Sequence, residues 1–532
     1  MKRWNGWGNV TVDFPVPPEA LSNLQRLIGE GIPPRDATLQ QALASVGPPR
    51  IPPHSLLQTD ALTRLLHARG QSLPNWVALR SGRIDDFPDA VAFPATDSDI
   101  RSLLSLARQS GAGVIPYGGG TSVVGHINIP GGGRPVLSVD MSRFDTLHSI
   151  DQVSRLATVG AGLTGPAVEE LLRPFNLTLG HFPQSWEFST VGGWIATRSS
   201  GQLSLYYGRI EDLVAGVHVE TPSGPLDLPP LPASAAGPDL RHIVLGSEGR
   251  LGLITLAALR VRKRPAREVF LGAFFPRWQT GVEAVRAIVQ SGIAVSMLRL
   301  SDPAETETTL VLSGKPQLSR IAEAGLRRIG HEEPSLLIYG VTGDRESVNL
   351  ARFQTEAIAR HHGGLPVPFV VGSTWRKSRF RLPYLRNFLW QYGYAIDTLE
   401  TALPWSSVTE AAGLIKSALS EALLPHDEHV LAFAHLSHVY CDGASIYVTF
   451  LFRISPDPDE TLSRWAVLKN AASQVIVGLG GTISHQHGVG VDHAPFLIAE
   501  KSAVGISMLH SAFAAVDPDG LMNPGKLLED AS

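Results

Sequence analysis

Along DSDIRSLLSLARQS, residues 97–110, apolar side chains recur at Ile100, Leu103, Leu104 and Ala107. That spacing puts them on one face of a helix, with Thr96 or Asp97 placed to cap its start. The runs on either side, AVAFP and GVIPY, are short, apolar and strand-like. Residues 88–122 therefore read as strand, capped helix, strand and glycine turn. PVLSVDM and SRLATVGAG continue as strands, and GPAVEELLRPF as a helix with Pro166 in its first turn, a favoured place for proline. The alternation ends near residue 265 with GLITLAALRVRKRP.

The texture differs on either side. Residues 1–82 are proline-rich with short helical patterns such as PPEALSNLQRLIGEG, and predict a helical N-terminal extension. Between 267 and 455, strand-like EVFLGAFF, LLIYGVTG and SIYVTFLFRI alternate with long amphipathic helices, which predicts a second α+β domain after the one at 83–266. Residues 456–532 read as a helical segment around one glycine- and histidine-rich turn.

Composition narrows the class. At 532 residues, 43% hydrophobic and 18% charged, the chain suits a soluble globular protein of two or three domains. A net charge of −4 offers no basic field for nucleic acid. The single cysteine, Cys441, rules out an internal disulfide framework and suits a reducing compartment. No apolar run reaches the length of a membrane helix, and neither end carries an address signal. A cytoplasmic enzyme is the expectation.

Glycine carries the first chemical signal. The turn PYGGGTS gives up three side chains after a strand, as a chain does where something must approach the backbone. Successive amides in such a turn form a concave anion nest. SWEFSTVGGWIATRSSG and GSEGRLGLIT cluster glycines and hydroxyls again, and DPDGLMNPGKLL closes the chain. Thr121, Ser122, Ser189 and Thr190 can add hydroxyl donors to the same anion. TVGAGLTGPAVEE also has dinucleotide-fingerprint spacing at Gly160, Gly162 and Gly165. The next strand-like run lacks the ribose-binding acid that the fingerprint requires, so an ordinary strand–turn–helix is the better reading.

The blocks RWNGWG, PYGGGTSV, EFSTVGGW, YGRIEDLV, GSEGRLGLIT, YLRNF, ASIYV and SHQHGVG, in that order, resemble the alkyldihydroxyacetonephosphate synthase family, within the vanillyl-alcohol oxidase and p-cresol methylhydroxylase superfamily. The resemblance implies an α+β fold: a two-part FAD-binding domain of p-cresol methylhydroxylase type under an α+β cap domain. It implies FAD held non-covalently, because Thr121 stands where some relatives carry a flavin-linked histidine. Pro116, Tyr117, Gly118, Gly119, Gly120, Thr121 and Ser122 would hold the pyrophosphate. Other flavin contacts would come from Gln184, Ser185, Trp186, Glu187, Phe188, Ser189 and Thr190, from Thr197, Arg198, Ser199 and Ser200, and from Glu248, Gly249, Arg250, Leu251, Gly252, Leu253 and Ile254.

The implied reaction exchanges an ester-linked acyl group for a fatty alcohol, making an ether with no net redox. Tyr447 matches the family's base at C1 of the substrate; its phenol would need nearby positive charge or donors to lower its pKa. Arg386 matches the arginine that grips the substrate phosphate, and Arg299 an arginine needed near the flavin. His181 matches another active-site histidine. His485 and His487 flank Gln486, where the family has a third histidine; an amide cannot carry that proton, though it can hold a hydrogen bond. On an extended segment the two imidazoles would share a face. Taken alone, each of these residues also has a plain reading, as a strand tyrosine or a helix-face arginine. The resemblance further implies a small-molecule lipid substrate, a homodimer and peripheral contact with a membrane. Trp4 and Trp7 are available for such contact, although packing inside is the better reading for both. Two alternatives remain open: an FAD-linked oxidase or dehydrogenase of a 2-hydroxy acid, and a flavin protein whose chemistry has drifted. Metal binding by HLSH (His435, His438) or by HQH is the weaker option, and no metal is expected.

Overall fold

The structure, a computed structural model, describes residues 2–312, 324–367 and 370–528. Three larger sheets and one two-stranded sheet build the described residues. The first comprises β1 (Leu57–Gln58), β2 (Ala90–Ala92), β3 (Gly113–Tyr117) and β4 (Val136–Asp140), in the order β1-β2-β4-β3. β2 and β3 both run parallel to β4, because the helix Asp97–Ser110 carries the chain from β2 back to the start of β3. Thr96 caps that helix, in a capping box with Asp99, and Ile100, Leu103, Leu104 and Ala107 bury its apolar face.

The second group is β5 (Leu147–Asp151), β6 (Leu156–Gly160), β7 (Leu177–Thr178), β8 (Val214–Thr221), β9 (Gly224–Leu228), β10 (Leu253–Arg260) and β11 (Arg262–Lys263). Five of these form an antiparallel sheet, β5-β6-β10-β8-β9, and β7 pairs with β11. Because β6 lies in an antiparallel sheet, the Gly160–Gly165 stretch is no dinucleotide fold. A side-chain carbon at Gly160 or Gly162 would overlap the carbonyls of Phe144 or Met141, so these glycines serve close packing of the backbone.

The third sheet is antiparallel throughout: β12 (Arg267–Phe275), β13 (Val295–Ser301), β14 (Ser335–Gly343), β15 (Leu365–Val367), β16 (Tyr394–Pro404), β17 (Leu431–Val439) and β18 (Gly443–Arg453). Its order is β15-β12-β14-β13-β17-β18-β16. The helices Trp278–Gln290, Trp405–Ala422 and Pro458–Gly478 cover one face, where Ile446, Val448, Phe450 and Phe452 share a core with Ile288, Ile415 and Leu468. Strand alternation therefore turns Tyr447 to the other face, toward the first two sheets. In β17 a register shift between Leu436 and Val439 restores the alternation after an extra residue. That irregularity lets His435 and His438, three apart, both leave the helix-covered face while Leu436 and Val439 stay in the core.

The N-terminal segment is helical at Pro18–Ile28, Leu39–Ala44, Ala61–Leu66 and Leu73–Ser81. Trp7 is buried against Phe188, and Trp4 packs beside Ala42 and Leu65, so both tryptophans are packing residues. The C-terminal segment returns to β3, where the Val114 amide donates to the Leu521 carbonyl. No helix among the described residues is long and apolar enough to cross a membrane.

Candidate active site

β3 delivers the chain to Gly118–Gly120, and the next loop to meet it is 188–190. A side-chain carbon at Gly119 would overlap the Phe188 carbonyl, and one at Gly118 the Thr190 hydroxyl. The two loops therefore lie backbone to backbone, and only glycine allows it. The Lys2 ammonium reaches in, donating to the Gly119 carbonyl and to the Tyr117 hydroxyl at 3.0 Å each. Among the described residues, no amide of 118–122 donates to another protein group. Five undonated amides at a strand end beside a lysine are the donor set a diphosphate fits.

The hydroxyls divide. Ser122 Oγ holds His126 Nδ1 at 2.8 Å, Thr197 Oγ1 donates to the Gly193 carbonyl, and Ser199 Oγ meets His181 Nε2 at 2.7 Å. Ser189 accepts from the Trp194 indole and Thr190 from the Gly193 amide, so each keeps its own proton to give. Ser200 Oγ is buried with no hydrogen-bond partner among the described residues. In the loop before, the Gln184 amide donates to the Arg379 carbonyl, Trp186 stacks on Phe380, and Glu187 accepts from Tyr384. Ser185 closes the turn, accepting from the Phe188 and Ser189 amides.

Glu248 spends its side chain on the protein. Its buried carboxylate accepts from the Val489 and Gly490 amides, at 2.5 and 2.8 Å, and lies 3.1 Å from His126 Nε2. It clamps the histidine-rich turn to the cofactor half. Arg250 donates to the Asn523 carbonyl, Arg198 pairs with Glu211, and Leu251, Leu253 and Ile254 are core. Gly249 meets Pro116, and Gly252 the Glu220 carbonyl. These residues shape the cradle's wall from behind.

Facing the cradle, ladder register assembles a row across three strands. Glu400 on β16 pairs with Tyr447 on β18, which pairs with His435 on β17. The Tyr447 ring stacks on His435, with centroids 5.0 Å apart, and meets the His487 ring edge-on at 5.7 Å. Burial raises the pKa of the Tyr447 phenol well above the ordinary 10, and Glu400 and Asp397 add to this; Arg386 opposes them and is outweighed. The positive charge that would lower it is thus outweighed, and at neutral pH this phenol holds its proton.

Arg386 lies over the Trp76 ring at 4.4 Å, and its Nη1 donates to the Gln71 carbonyl at 2.6 Å. Its Nη2 is buried with no partner among the described residues, and none of their carboxylates forms an ion pair with it. Burial lowers its pKa to about 10, so it stays charged at neutral pH. Arg299, by contrast, is committed: it pairs with Glu305 at 2.8 Å, and the same carboxylate accepts from His435 Nδ1 at 2.9 Å.

The 485–487 stretch is a bend, not the extended segment expected, and the bend separates its imidazoles. His485 stacks on His438 at 5.0 Å, accepts from the Tyr440 hydroxyl at 2.6 Å, and has Arg209 on its carbonyl. His487 turns instead to Glu400 and Tyr447. Ser204 Oγ holds His438 Nδ1 at 3.0 Å. His181 lies against Trp194 with its Nδ1 unpartnered. Burial, with the charge of Arg209, pushes His181 and His438 each down to about 3, so both are neutral imidazoles.

Sequence reasoning missed Glu400, Arg209, Tyr440 and Lys2. A lone acid inside the alternating run TLETALP was a signal for the first, and YGRIEDLV held the second unremarked. Among the described residues, the one group of three acid, histidine or cysteine side chains at metal-ligand spacing is Asp97, His218 and Glu220. Neither HLSH nor HQH belongs to it, and Arg101 already occupies Glu220.

Comparison with known proteins adds the family. A model described as an FAD binding domain matches residues 88–226, and one described as the C-terminal domain of FAD linked oxidases matches 264–527. An alkyldihydroxyacetonephosphate synthase of Dictyostelium discoideum is 32% identical over 486 residues, covering 89% of this chain and 78% of its own. A crystal structure of an alkyldihydroxyacetonephosphate synthase superposes with a TM-score of 0.83 at 26% identity, over 98% of both chains. Substrate-bound p-cresol methylhydroxylase, at 14% identity and a TM-score of 0.68 over 93% of this chain and 98% of its own, shares the fold.

Proposed function

The chain belongs to the alkyldihydroxyacetonephosphate synthase family, and from that premise we propose that it exchanges the acyl group of acyl-dihydroxyacetone phosphate for a fatty alcohol, forming an ether lipid precursor. FAD is its cofactor; when bound, it supplies the electrophilic centre for exchange at C1 without net redox. The working division is 83–266 for the cofactor and 267–455 for the substrate, with 1–82 as an N-terminal extension and 456–532 closing the site.

One observation carries the reading: a buried, charged Arg386 with a spare N–H, no carboxylate partner and Tyr447 within its field. A substrate phosphate satisfies that guanidinium, whose planar donors suit a tetrahedral oxyanion. Held there, the substrate presents C1 to the phenol. Tyr447 takes the C1 proton once its own has passed to a neighbour, and His487 is the imidazole edge-on to its ring. The free amides of 118–122 hold the pyrophosphate, and Thr121 leaves the flavin unlinked to the protein. Arg299 sets His435 under the phenol through Glu305. Neutral His181 and His485 offer hydrogen bonds without bringing charge to the flavin. A long-chain substrate is drawn from a lipid surface, which favours peripheral membrane contact, and the family likeness favours a homodimer.

The test is incubation of FAD-loaded protein with acyl-dihydroxyacetone phosphate and labelled fatty alcohol, with no electron acceptor. Labelled ether and released fatty acid in equal amounts are expected. Flavin bleaching by a 2-hydroxy acid, with no ether formed, would overturn the reading in favour of an oxidase.

A further inference from the structure

The reading of Tyr447 as the base leaves a physical problem. Burial and two nearby carboxylates hold the phenol protonated, so something must keep a proton acceptor ready beside it. Glu400 is wholly buried, yet its Oε1 accepts from the Gln486 amide at 2.5 Å and the His487 amide at 2.7 Å, and lies 3.5 Å from His487 Nδ1. Its Oε2 has no hydrogen-bond partner among the described residues. A buried carboxylate is costly, and one used only to fix two amides could be replaced by a neutral amide side chain.

We propose that Glu400 is a positioning residue for the reaction: it holds the bend at 486–487 and keeps the His487 proton on Nδ1, leaving Nε2 as the acceptor beside Tyr447. In the step this serves, the phenol O–H proton passes to His487 Nε2, and the phenolate oxygen then takes the C1 proton. The imidazolium formed is balanced by the Glu400 carboxylate, so the buried cluster gains no net charge. The logic is that of a buried carboxylate behind a catalytic imidazole. The titratable groups facing His487 are Glu400 from β16, Tyr447 from β18, and His485 and His493 from its own segment. The inference rests on the function proposed above.

Glu400→Gln tests it, because the amide oxygen can still accept from both backbone amides while the charge is gone. In FAD-loaded protein we expect unchanged flavin content, kcat lower by about 10- to 100-fold, KM within about threefold, and a displaced acid limb of the pH–rate profile. In the double variant with His487→Gln, Glu400→Gln should cost nothing further, because the carboxylate acts through the imidazole. A readout free of the reaction is the nitrogen NMR of labelled histidine in the FAD-loaded protein, with His487 assigned by its loss in His487→Gln. Its Nδ1–H signature should give way to a tautomer mixture in Glu400→Gln. An unmoved His487 signal would overturn the proposal even if ether synthesis is confirmed. A moved signal would uphold it even if the substrate were different. Additive losses in the double variant, or a fall in kcat explained by lost flavin, would also overturn it. If Glu400→Gln fails to accumulate, Glu400→Asp, which keeps the charge but withdraws it from Nδ1, should give the same His487 change.

Discussion

In the turn at Gly118–Gly120 the working groups are main-chain amides, and side chains are absent so that two loops can touch. In the row of Glu400, Tyr447 and His435 every working group is a side chain, and the main chain only sets register. The turn carries no titrating group and needs none to hold an anion. The row is dense with ionisable side chains, and burial drives Tyr447 up and His435 down from their ordinary pKa values. Under the proposed function, one region would bind by shape and dipole and the other would react by moving protons. The contrast says that binding and chemistry can be damaged separately.

The largest expected effect comes from Tyr447→Phe. The ring keeps its stack on His435, and only the hydroxyl is lost. If the phenol is the base, kcat should fall by about 10²- to 10⁴-fold, equivalent to about 3–5 kcal/mol. Flavin content, read as the ratio of visible to ultraviolet absorbance, should not change. Loss of flavin in this variant would break the separation between the two regions.

That separation also decides what could be read from the chain. A backbone that must approach another backbone writes its demand locally, so PYGGGTS was legible as a close-approach turn, and the capped helix before it as the crossover to β3. A row built by pairing residues 400, 447 and 435 writes nothing local, because register is a property of three strands. Tyr447, Arg386 and the histidines were found through family blocks; Glu400, absent from those blocks, was missed. The bend at 485–487 was taken for an extended segment because nothing local announces Glu400 holding its amides from another strand. The irregularity in β17 that brings His438 beside His435 was equally silent.

Acid should separate the regions next. His181 and His438 sit near 3 in the native protein against 6.5 when unfolded, and His485 and His493 are also lowered. Below pH 6.5 the unfolded chain binds protons that the native chain refuses, so stability falls as pH falls, by about 1.4 kcal/mol per pH unit per histidine. Two units below that point, each should cost about 2–3 kcal/mol. Asp492, pushed up to about 6 by burial, works in the opposite sense between pH 6 and 3.8, and offsets part of one histidine. Melting temperature measured from pH 7.5 to 4.5 should drop steeply, and His438→Gln should flatten the drop. An equal slope in that variant would mean that His438 is not held neutral. Hydrogen exchange at pH 5 should quicken at residues 431–439 before residues 113–117, where no such group titrates.

The smallest of the three effects, and the most diagnostic for the turn, is Gly119→Ala. The added methyl meets the Phe188 carbonyl with no rotamer to escape into, so one of the two loops must move. Overpacking of this kind costs about 1–3 kcal/mol. The cost should appear in two places: a melting temperature lower by several degrees in the flavin-free protein, and flavin affinity lower by about tenfold or more as the 118–122 amides lose alignment. Turnover per bound flavin should stay close to that of the parent, because the row on β16, β18 and β17 does not touch residue 119. Gly132→Ala is the internal control. It lies in another turn with positive φ but with open space where the methyl goes, so it carries the backbone strain of alanine without the collision. If both variants lose flavin equally, backbone freedom rather than loop contact governs the cradle. If Gly119→Ala binds flavin like the parent, the free amides of 118–122 are not what holds the diphosphate.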